Sequence, residues 1–205
     1  MTYKTIRARA DETFEEKKSV FIGHAMPVAT EAEALAFLNE IRSAYPDATH
    51  NVYAYVLREN STMRYSDDHE PQGTAGLPVL DVLRKAAITD TVVVVTRYFG
   101  GTLLGTGGLV RAYTQAAKLA VEAGGVVTRA KLSLLSLVCT YADYQKITPY
   151  LSSDTIRVDD TEFGVDVTVQ LAMLPACCEE FCRMITEVSG GRAILLENGE
   201  RYDYL

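Results

Sequence analysis

Two arginines and the glycines between them are the residues of this 205-residue sequence best suited to bind a ligand. Arg97 follows a β-branched run, Val92–Val95, which is typical of a strand buried on both faces, and Tyr98 comes next. Arg111 lies near the start of a helical pattern. Glycine lets a ligand approach the backbone, and the first amides of a helix have no internal partner. The order of strand, loop and helix therefore predicts an anion site flanked by both arginines. The glycines of this loop are Gly100, Gly101, Gly105, Gly107 and Gly108.

The glycine spacing does not match a nucleotide-binding loop. G-x-G-x-x-G is absent, and Gly108 is followed by Leu109 rather than by the Lys and Ser or Thr of a Walker loop. The alternative is a tight strand-to-helix connection whose glycines only avoid clashes. In that case Arg97 is a buried partner of Asp67 or Asp68.

An acidic segment, Asp67-Asp68-His69-Glu70, provides a second candidate site. Clustered carboxylates are the oxygen ligands that hard divalent metals prefer, so Asp67, Asp68 and Glu70 are weak metal candidates. The alternative is a solvated loop that enters a helix, where carboxylates are favourable by themselves. We expect structural or contact roles and no bound cofactor.

The remaining reactive residue types do not form a recognisable catalytic pattern. The four cysteines include three in one helical segment, with a spacing unlike that of a zinc site, and we expect reduced core residues. His50 and His69 are expected to be hydrogen-bonded structural residues. No Ser/His/Asp or Cys/His arrangement can be assigned, so covalent catalysis has no support.

Periodicity predicts the elements of a first domain, residues 1–128. Thr30 and Glu33 form a capping box for a helix that stops before Pro46. The helix after the Gly-rich loop starts at about Leu109 and buries one face. The other predicted elements are strands at 3–9, 18–28, 51–58 and 63–66, and a helix that ends at about Ala87.

A second domain, residues 129–205, follows a break at Gly124-Gly125. Its pattern predicts the order βαββαβ, which is a ferredoxin-like arrangement, and the whole chain is then α+β. The predicted elements are a strand at 132–140, a helix at 143–152, strands at 155–159 and 165–171, a helix from Pro175 and a strand at 192–197.

Charge is distributed unevenly along the chain. The net charge is −7, and residues 131–205 carry 6 Lys and Arg against 12 Asp and Glu. Proteins that wrap nucleic acid are usually basic, so DNA is not expected and an RNA contact requires a local patch in the first half. The polar N-terminus lacks the apolar core of a signal peptide, and no run is long enough to span a membrane, so we expect a cytoplasmic protein.

Several long motifs resemble the signature of the YigZ/IMPACT family. These are DDHEPQGTAG, VVVVTRYFGG and LGTGGLVRAY, with His50-Asn51 and Tyr53-Ala54-Tyr55 upstream. Two positions depart from the usual pattern, because His69 replaces Gly and Gln72 replaces a small residue. The resemblance implies that the signature residues share a surface. They are His50, Tyr53, Asp68, Glu70, Thr74, Arg97, Tyr98, Gly100, Gly101, Gly105, Gly107, Gly108, Arg111 and Tyr113.

The resemblance also implies a fold and a function. The first domain is similar to domain IV of elongation factor G, an α+β sandwich, and the second to its ferredoxin-like domains. Eukaryotic relatives restrain the initiation-factor kinase of amino-acid starvation by binding its activator. This chain lacks their extra N-terminal module, so we expect a looser link to translation.

Two hypotheses about function follow. The first is a non-enzymatic, translation-linked protein that binds RNA, the ribosome or a translation factor through the Gly-rich loop. The second is an enzyme acting on a phosphorylated or acidic small molecule, by metal-assisted hydrolysis at Asp67, Asp68 and Glu70, with Arg97 and Arg111 on the anion. Sequence leaves the oligomeric state open.

Overall fold

A computed structural model describes residues 2–152 and 155–204 as an α+β protein with two compact units. One unit is Tyr3–Thr128, and the other begins at Arg129. Helices and strands occur in both, and the strands form two five-stranded sheets. The predicted α+β class is confirmed. In the described ranges, no helix has both the length and the apolar character needed to cross a bilayer.

The first unit contains a sheet in the order β2-β3-β6-β4-β5, with antiparallel pairing throughout. Its elements are β1 (Thr2–Ile6), β2 (Ala10–Glu16), β3 (Ser19–Pro27), α1 (Glu31–Ala44), β4 (His50–Val56), a 3₁₀ turn (Glu59–Ser61), β5 (Met63–Ser66), α2 (Gly76–Lys85), β6 (Thr91–Tyr98) and α3 (Thr106–Ala123).

The central strand β6 is buried on both faces, as its β-branched run predicts. Val93 and Val95 pack in the core beneath α2 and α3, whereas Val92 and Val94 pack in the core beneath α1. All four are 0% exposed. β6 therefore holds its last residues, Arg97 and Tyr98, rigidly where the strand enters the Gly-rich loop.

The capping box and the end of α1 are confirmed, and the bounds of α2 and α3 differ from the prediction by two or three residues. Thr30 caps α1, since its hydroxyl accepts the Glu33 amide at 3.3 Å, and the helix ends at Ala44 before Pro46. α3 buries the predicted face, but it begins three residues before Leu109, at Thr106. α2 ends at Lys85, two residues before the predicted end at Ala87.

One strand of the first unit escaped prediction. The segment Ala10–Glu16 forms β2 and pairs with β3 from Ala10↔Ala25 to Glu16↔Ser19. Its sequence, ADETFEE, has one large apolar residue, Phe14, which packs against the core. An edge strand that is mostly exposed lacks the alternation on which strand prediction depends.

The second unit has the predicted βαββαβ order. The elements are β7 (Val126–Cys139), α4 (Tyr141–Leu151), β8 (Ile156–Phe163), β9 (Val167–Met173), α5 (Pro175–Ser189) and β10 (Ile194–Tyr204). β10 pairs with β7, β7 with β9 and β9 with β8, all antiparallel. The order 4-1-3-2 of its own strands is that of a ferredoxin-like sheet.

The cysteines are free thiols. Cys139 is buried, whereas Cys177, Cys178 and Cys182 on α5 are half-buried. Burial raises the pKa of the Cys182 thiol, which keeps it protonated. Phe181 and Ile185 lie on the buried face of α5, with Cys178 and Cys182 at its margin, so the three cysteines of this helix are not the core residues that the sequence predicts.

Candidate anion-binding site at the start of α3

The Gly-rich loop packs against the hairpin that joins β2 to β3. A Cβ atom at Gly100 would lie 2.0 Å from the Lys18 carbonyl group, so no larger residue fits there without moving the backbone. The Gly100 amide also donates to the Ser19 hydroxyl at 3.2 Å. Gly105 precedes α3 with φ of 73°, a conformation that glycine adopts readily. Gly100 therefore allows the loop to lie close to the hairpin, and Gly105 allows the turn into α3.

The tip of that hairpin consists of Lys17 and Lys18, with φ of 48° and 68°. A two-residue turn with both φ values positive is usually built from Asn and Gly, because other residues are strained there. Of the two, Lys17 lines the groove at the start of α3. The sequence analysis did not single out Lys17, because the strand before it, β2, carries no local strand signal.

A groove of about 470 Å³ lies where the hairpin, the loop and α3 meet. Three cationic side chains line it, Lys17, Arg111 and Lys118, against one carboxylate, Glu16. The Arg111 guanidinium lies beside the first turn of α3, since a Cβ at Gly107 would be 3.6 Å from its Nη1. Arg111 therefore lies next to the first turn of α3, where helix amides have no internal partner.

A larger groove, of about 720 Å³, lies between α2 and α3. Two acidic and two basic residues line it, Asp81 and Glu122 against Lys85 and Lys118. These charges balance, so this groove does not favour an anion. The smaller groove is the better candidate.

Arg97 does not reach the candidate groove. It is 5% exposed, and its Nη1 donates to Glu70 Oε1 at 2.5 Å. Its Nη2 donates to the Ser19 hydroxyl at 3.4 Å, and its guanidinium lies 5.4 Å and 5.5 Å from the rings of Phe21 and Phe99. The alternative of a buried ion pair describes Arg97 correctly, but Glu70 is its partner rather than Asp67 or Asp68. The buried Arg97 side chain therefore supports the Gly-rich loop from the protein interior.

Glu70 is the centre of a buried polar cluster that we define as His50, Glu70, Arg97 and Tyr113. The Tyr113 hydroxyl donates to Glu70 Oε1 at 2.7 Å, and His50 Nε2 lies 3.7 Å from the same oxygen. Burial, together with the Glu70 carboxylate, raises the pKa of Tyr113 far above its ordinary value. The cluster links the acidic segment, the end of β6 and the middle of α3.

Asp67 and Asp68 have separate structural roles. Asp67 accepts three backbone amides, Gly73, Ala75 and Gly76, at 2.8–3.1 Å, which satisfies the free N-terminus of α2. Asp68 accepts the Asn51 amide at 2.7 Å. The three carboxylates therefore face different partners. In residues 2–152 and 155–204, no three His, Cys, Asp or Glu side chains are grouped to hold a metal.

His69, which replaces the usual Gly of the motif, lies in a turn with positive φ. Asp68 and His69 have φ of 43° and 70°. Glycine adopts such values without strain, which explains why it is favoured at this position of the motif. His50 Nδ1 bonds the Asp68 carbonyl oxygen at 2.8 Å and so supports the same turn.

The other signature residues do not share one exposed surface. Tyr113, Thr74 and Glu70 are 0%, 7% and 9% exposed. Tyr53 stacks on Tyr55, and the Tyr98 hydroxyl donates to Asp47 at 3.0 Å. Glu70, Thr74 and Tyr113 therefore lie in the interior, whereas Tyr53 and Tyr98 are half-buried.

Comparisons with known proteins cover both units. The profile of the Impact N-terminal domain matches residues 17–121, and a domain of unknown function (DUF1949) matches residues 137–192. IMPACT family member YvyE of Bacillus subtilis is 36% identical over 98% of this chain and 93% of its own. IMPACT family member YigZ of Escherichia coli is 32% identical over 89% of this chain and 91% of its own.

A solved structure agrees with these matches. The crystal structure of a hypothetical protein has a TM-score of 0.61 at 31% identity, and the match covers 95% of this chain and 96% of that one. The likeness in sequence and the likeness in fold therefore extend over nearly the whole chain. This chain belongs to the YigZ/IMPACT family.

Proposed function

We propose that this chain is a non-enzymatic, translation-linked regulatory protein that binds RNA, with ribosomal RNA as its natural target, at the groove beside the start of α3. The observation that carries the proposal is the convergence of Lys17, Arg111 and Lys118 on one groove of about 470 Å³. Free helix amides and three cations suit a phosphate backbone.

The three cations are available for a ligand. Each side chain is exposed, and none forms an ion pair with another residue of the described chain. Other surface cations behave differently: Arg9 pairs with Glu40 at 2.6 Å, and Arg183 with Glu179 at 3.3 Å. Cations without an internal partner cost least to transfer to a phosphate.

The Gly-rich loop also exposes apolar side chains. Phe99 is 45% exposed and Leu103 is 82% exposed, and both lie between the end of β6 and the start of α3. Single-stranded RNA binds where aromatic groups for base stacking accompany a cationic groove. A small phosphorylated substrate would not need them, so RNA is favoured over the enzyme hypothesis.

The buried polar cluster supports the groove without touching the RNA. Arg97 bonds Ser19, and Ser19 in turn accepts the Gly100 amide, so the cluster fixes the loop against the hairpin. Glu70 and Tyr113 attach the middle of α3 to the same point. The groove is held in one shape, which reduces the ordering cost of binding.

The test measures binding to purified ribosomes by co-sedimentation and to a fluorescein-labelled U12 RNA by anisotropy. Arg111→Gln should weaken both by roughly tenfold, the equivalent of one charged hydrogen bond. Arg183→Gln, on α5, removes an exposed arginine elsewhere and should change neither. The slope of log K against log salt should be shallow, roughly −2 to −3 for three phosphate contacts.

Other outcomes would contradict the proposal. If Arg111→Gln and Lys118→Gln both bind ribosomes as the wild type does, the groove is not the RNA site. If ribosome binding survives but U12 binding is absent at low salt, the contact is with a protein. Turnover of a phosphorylated small molecule that depends on Arg111 would favour the enzyme hypothesis.

A further inference from the structure

The second unit exposes an aromatic and acidic patch that the RNA site does not explain. Phe163 ends β8 and is 61% exposed, and Val165 in the following turn is 97% exposed. Tyr141, at the start of α4, is 48% exposed and its ring centre lies 6.4 Å from that of Phe163. We define the hairpin patch as Tyr141, Glu162, Phe163, Val165 and Asp166.

The patch is ordered rather than loose. The Tyr141 hydroxyl donates to the Gly164 carbonyl oxygen at 2.8 Å, and the Gly164 amide donates to the Asp166 carbonyl oxygen at 3.0 Å. Tyr144 meets the Phe163 ring edge-on at 5.7 Å. Large apolar side chains that are held in place but left in water mark interaction surfaces.

The charge around the patch indicates which kind of partner it binds. Glu162 and Asp166 flank the apolar residues and are exposed, and neither forms an ion pair within the described chain. Asp160 lies two residues before Glu162 on the same strand and is also exposed. Residues 131–205 carry 6 basic against 12 acidic residues, so this half attracts cations and repels phosphates. A nucleic acid is therefore a poor occupant.

The strand that carries the patch lies at the edge of its sheet. The order of the second unit's own strands is β10-β7-β9-β8, and β8 pairs with β9 from Ile156↔Met173 to Phe163↔Val167. Its outer edge pairs with no other strand of the described chain. An extended peptide can add to such an edge through main-chain hydrogen bonds, while its side chains give specificity.

We infer that β8 and the hairpin patch bind an extended, basic segment of a protein partner, which adds to the sheet edge and places an aliphatic side chain against Phe163. Asp160, Glu162 and Asp166 then neutralise its lysines or arginines. The site is separate from the RNA groove, so an RNA-bound molecule has a second contact through its other unit.

The test uses the full chain and a labelled ten-residue peptide of alternating Lys and Val. Three matched peptides accompany it: alternating Lys and Ser, alternating Glu and Val, and the Lys-Val peptide with alternate backbone nitrogens methylated. The Lys-Val peptide should bind at least about tenfold more tightly than each of these, because apolar contact, charge and main-chain donors are all required.

Variants locate the site. Phe163→Ser and the double change Glu162→Gln with Asp166→Asn should each weaken binding of the Lys-Val peptide by about fivefold to tenfold. Leu196→Ser removes another exposed apolar residue, 52% exposed on β10, and should have no effect. Melting temperatures measured on the same proteins separate lost binding from lost folding.

Four results would overturn the inference. Equal binding of the Lys-Ser peptide would mean that charge attraction alone explains the binding. Equal binding of the Glu-Val peptide would mean that charge does not contribute to it. Equal binding of the methylated peptide would exclude strand addition. Binding of U12 RNA that depends on Phe163 would assign the patch to nucleic acid. Failure of the RNA groove would leave this test unaffected, because Arg111→Gln does not alter the second unit.

Discussion

Two ionic clusters, one in each unit, use the same chemistry in opposite surroundings. The buried polar cluster centres on Glu70 and Arg97, whose side chains are 4% and 6% exposed. The second unit carries a ring of four exposed or half-buried partners on its sheet, in which each of two arginines bonds each of two aspartates at 2.7–3.0 Å. The ring consists of Arg157, Asp159, Arg201 and Asp203.

The two clusters differ in whether water can solvate a charged group whose partner has been removed. A group lost from the exposed ring leaves partners that solvent can reach, so single pairs contribute little. A group lost from the buried cluster leaves an uncompensated charge in the core, which is strongly destabilising. Glu70 and Arg97 therefore act as one unit, whereas the members of the ring are individually dispensable.

The largest expected effect is that of Arg97→Met. The substitution keeps much of the side-chain length but leaves Glu70 without its cation, and the free energy of unfolding should fall by about 3–5 kcal/mol. Urea denaturation measures this loss. Arg111→Met is the matched control, since that arginine is exposed, and it should leave the stability nearly unchanged.

A double variant tests whether Glu70 and Arg97 behave as one buried charge pair. Adding Glu70→Leu to Arg97→Met removes the stranded carboxylate, and it should recover part of the lost stability even though it removes a second polar group. If the double variant is as unstable as the sum of the two single changes, the pair does not behave as a buried charge unit.

Tyr113→Phe should have an intermediate effect. Its hydroxyl donates at 2.7 Å to Glu70, which keeps Arg97 as its charge partner, so the loss is one charge-assisted hydrogen bond of about 1–3 kcal/mol. Thermal or urea unfolding checks the value. Tyr98→Phe is the control, because its bond to Asp47 lies at the surface and should contribute much less. Equal losses would mean that burial does not distinguish the two hydroxyls.

The main elements could be predicted because their signals are local. Four consecutive valines in β6 and the Thr30 capping box of α1 indicate strand and helix without any knowledge of the fold. β2 could not be found this way, since Phe14 is its one large apolar residue and its pairing with β3 supplies the missing information. Pairing depends on residues distant in the sequence, which a local pattern does not contain.

The site was predictable in part for the same reason. The position of Arg111 beside the first turn of α3 follows from helix geometry alone. The burial of Arg97 does not, because it depends on Glu70, which lies 27 positions earlier and had been grouped with Asp67 and Asp68. A local pattern groups residues that are adjacent in sequence, whereas each carboxylate meets partners from a different part of the chain.

Arg201→Gln should have a small effect. It removes two contacts of the exposed ring, to Asp159 at 2.8 Å and to Asp203 at 2.9 Å, while Arg157 still bonds both aspartates. The expected loss in unfolding free energy is about 0.2–1 kcal/mol, and 1 M salt should reduce it further. A loss as large as that of Arg97→Met would mean that the ring is not screened by solvent.

Acid should reduce the small difference in unfolding free energy between Arg201→Gln and the wild type. The hydrogen bond from Arg201 lowers the pKa of Asp159 below its ordinary value of 3.8. A carboxyl whose pKa is lower in the folded state contributes stability that is fully present above the unfolded pKa. That stability is lost as pH falls from 3.8 through the folded pKa. In Arg201→Gln the folded pKa returns towards 3.8, so its stability depends less on pH in this window. Urea titrations at pH 7 and pH 3 should thus show curves that converge in acid, and a gap that stays constant would exclude Asp159 as its source.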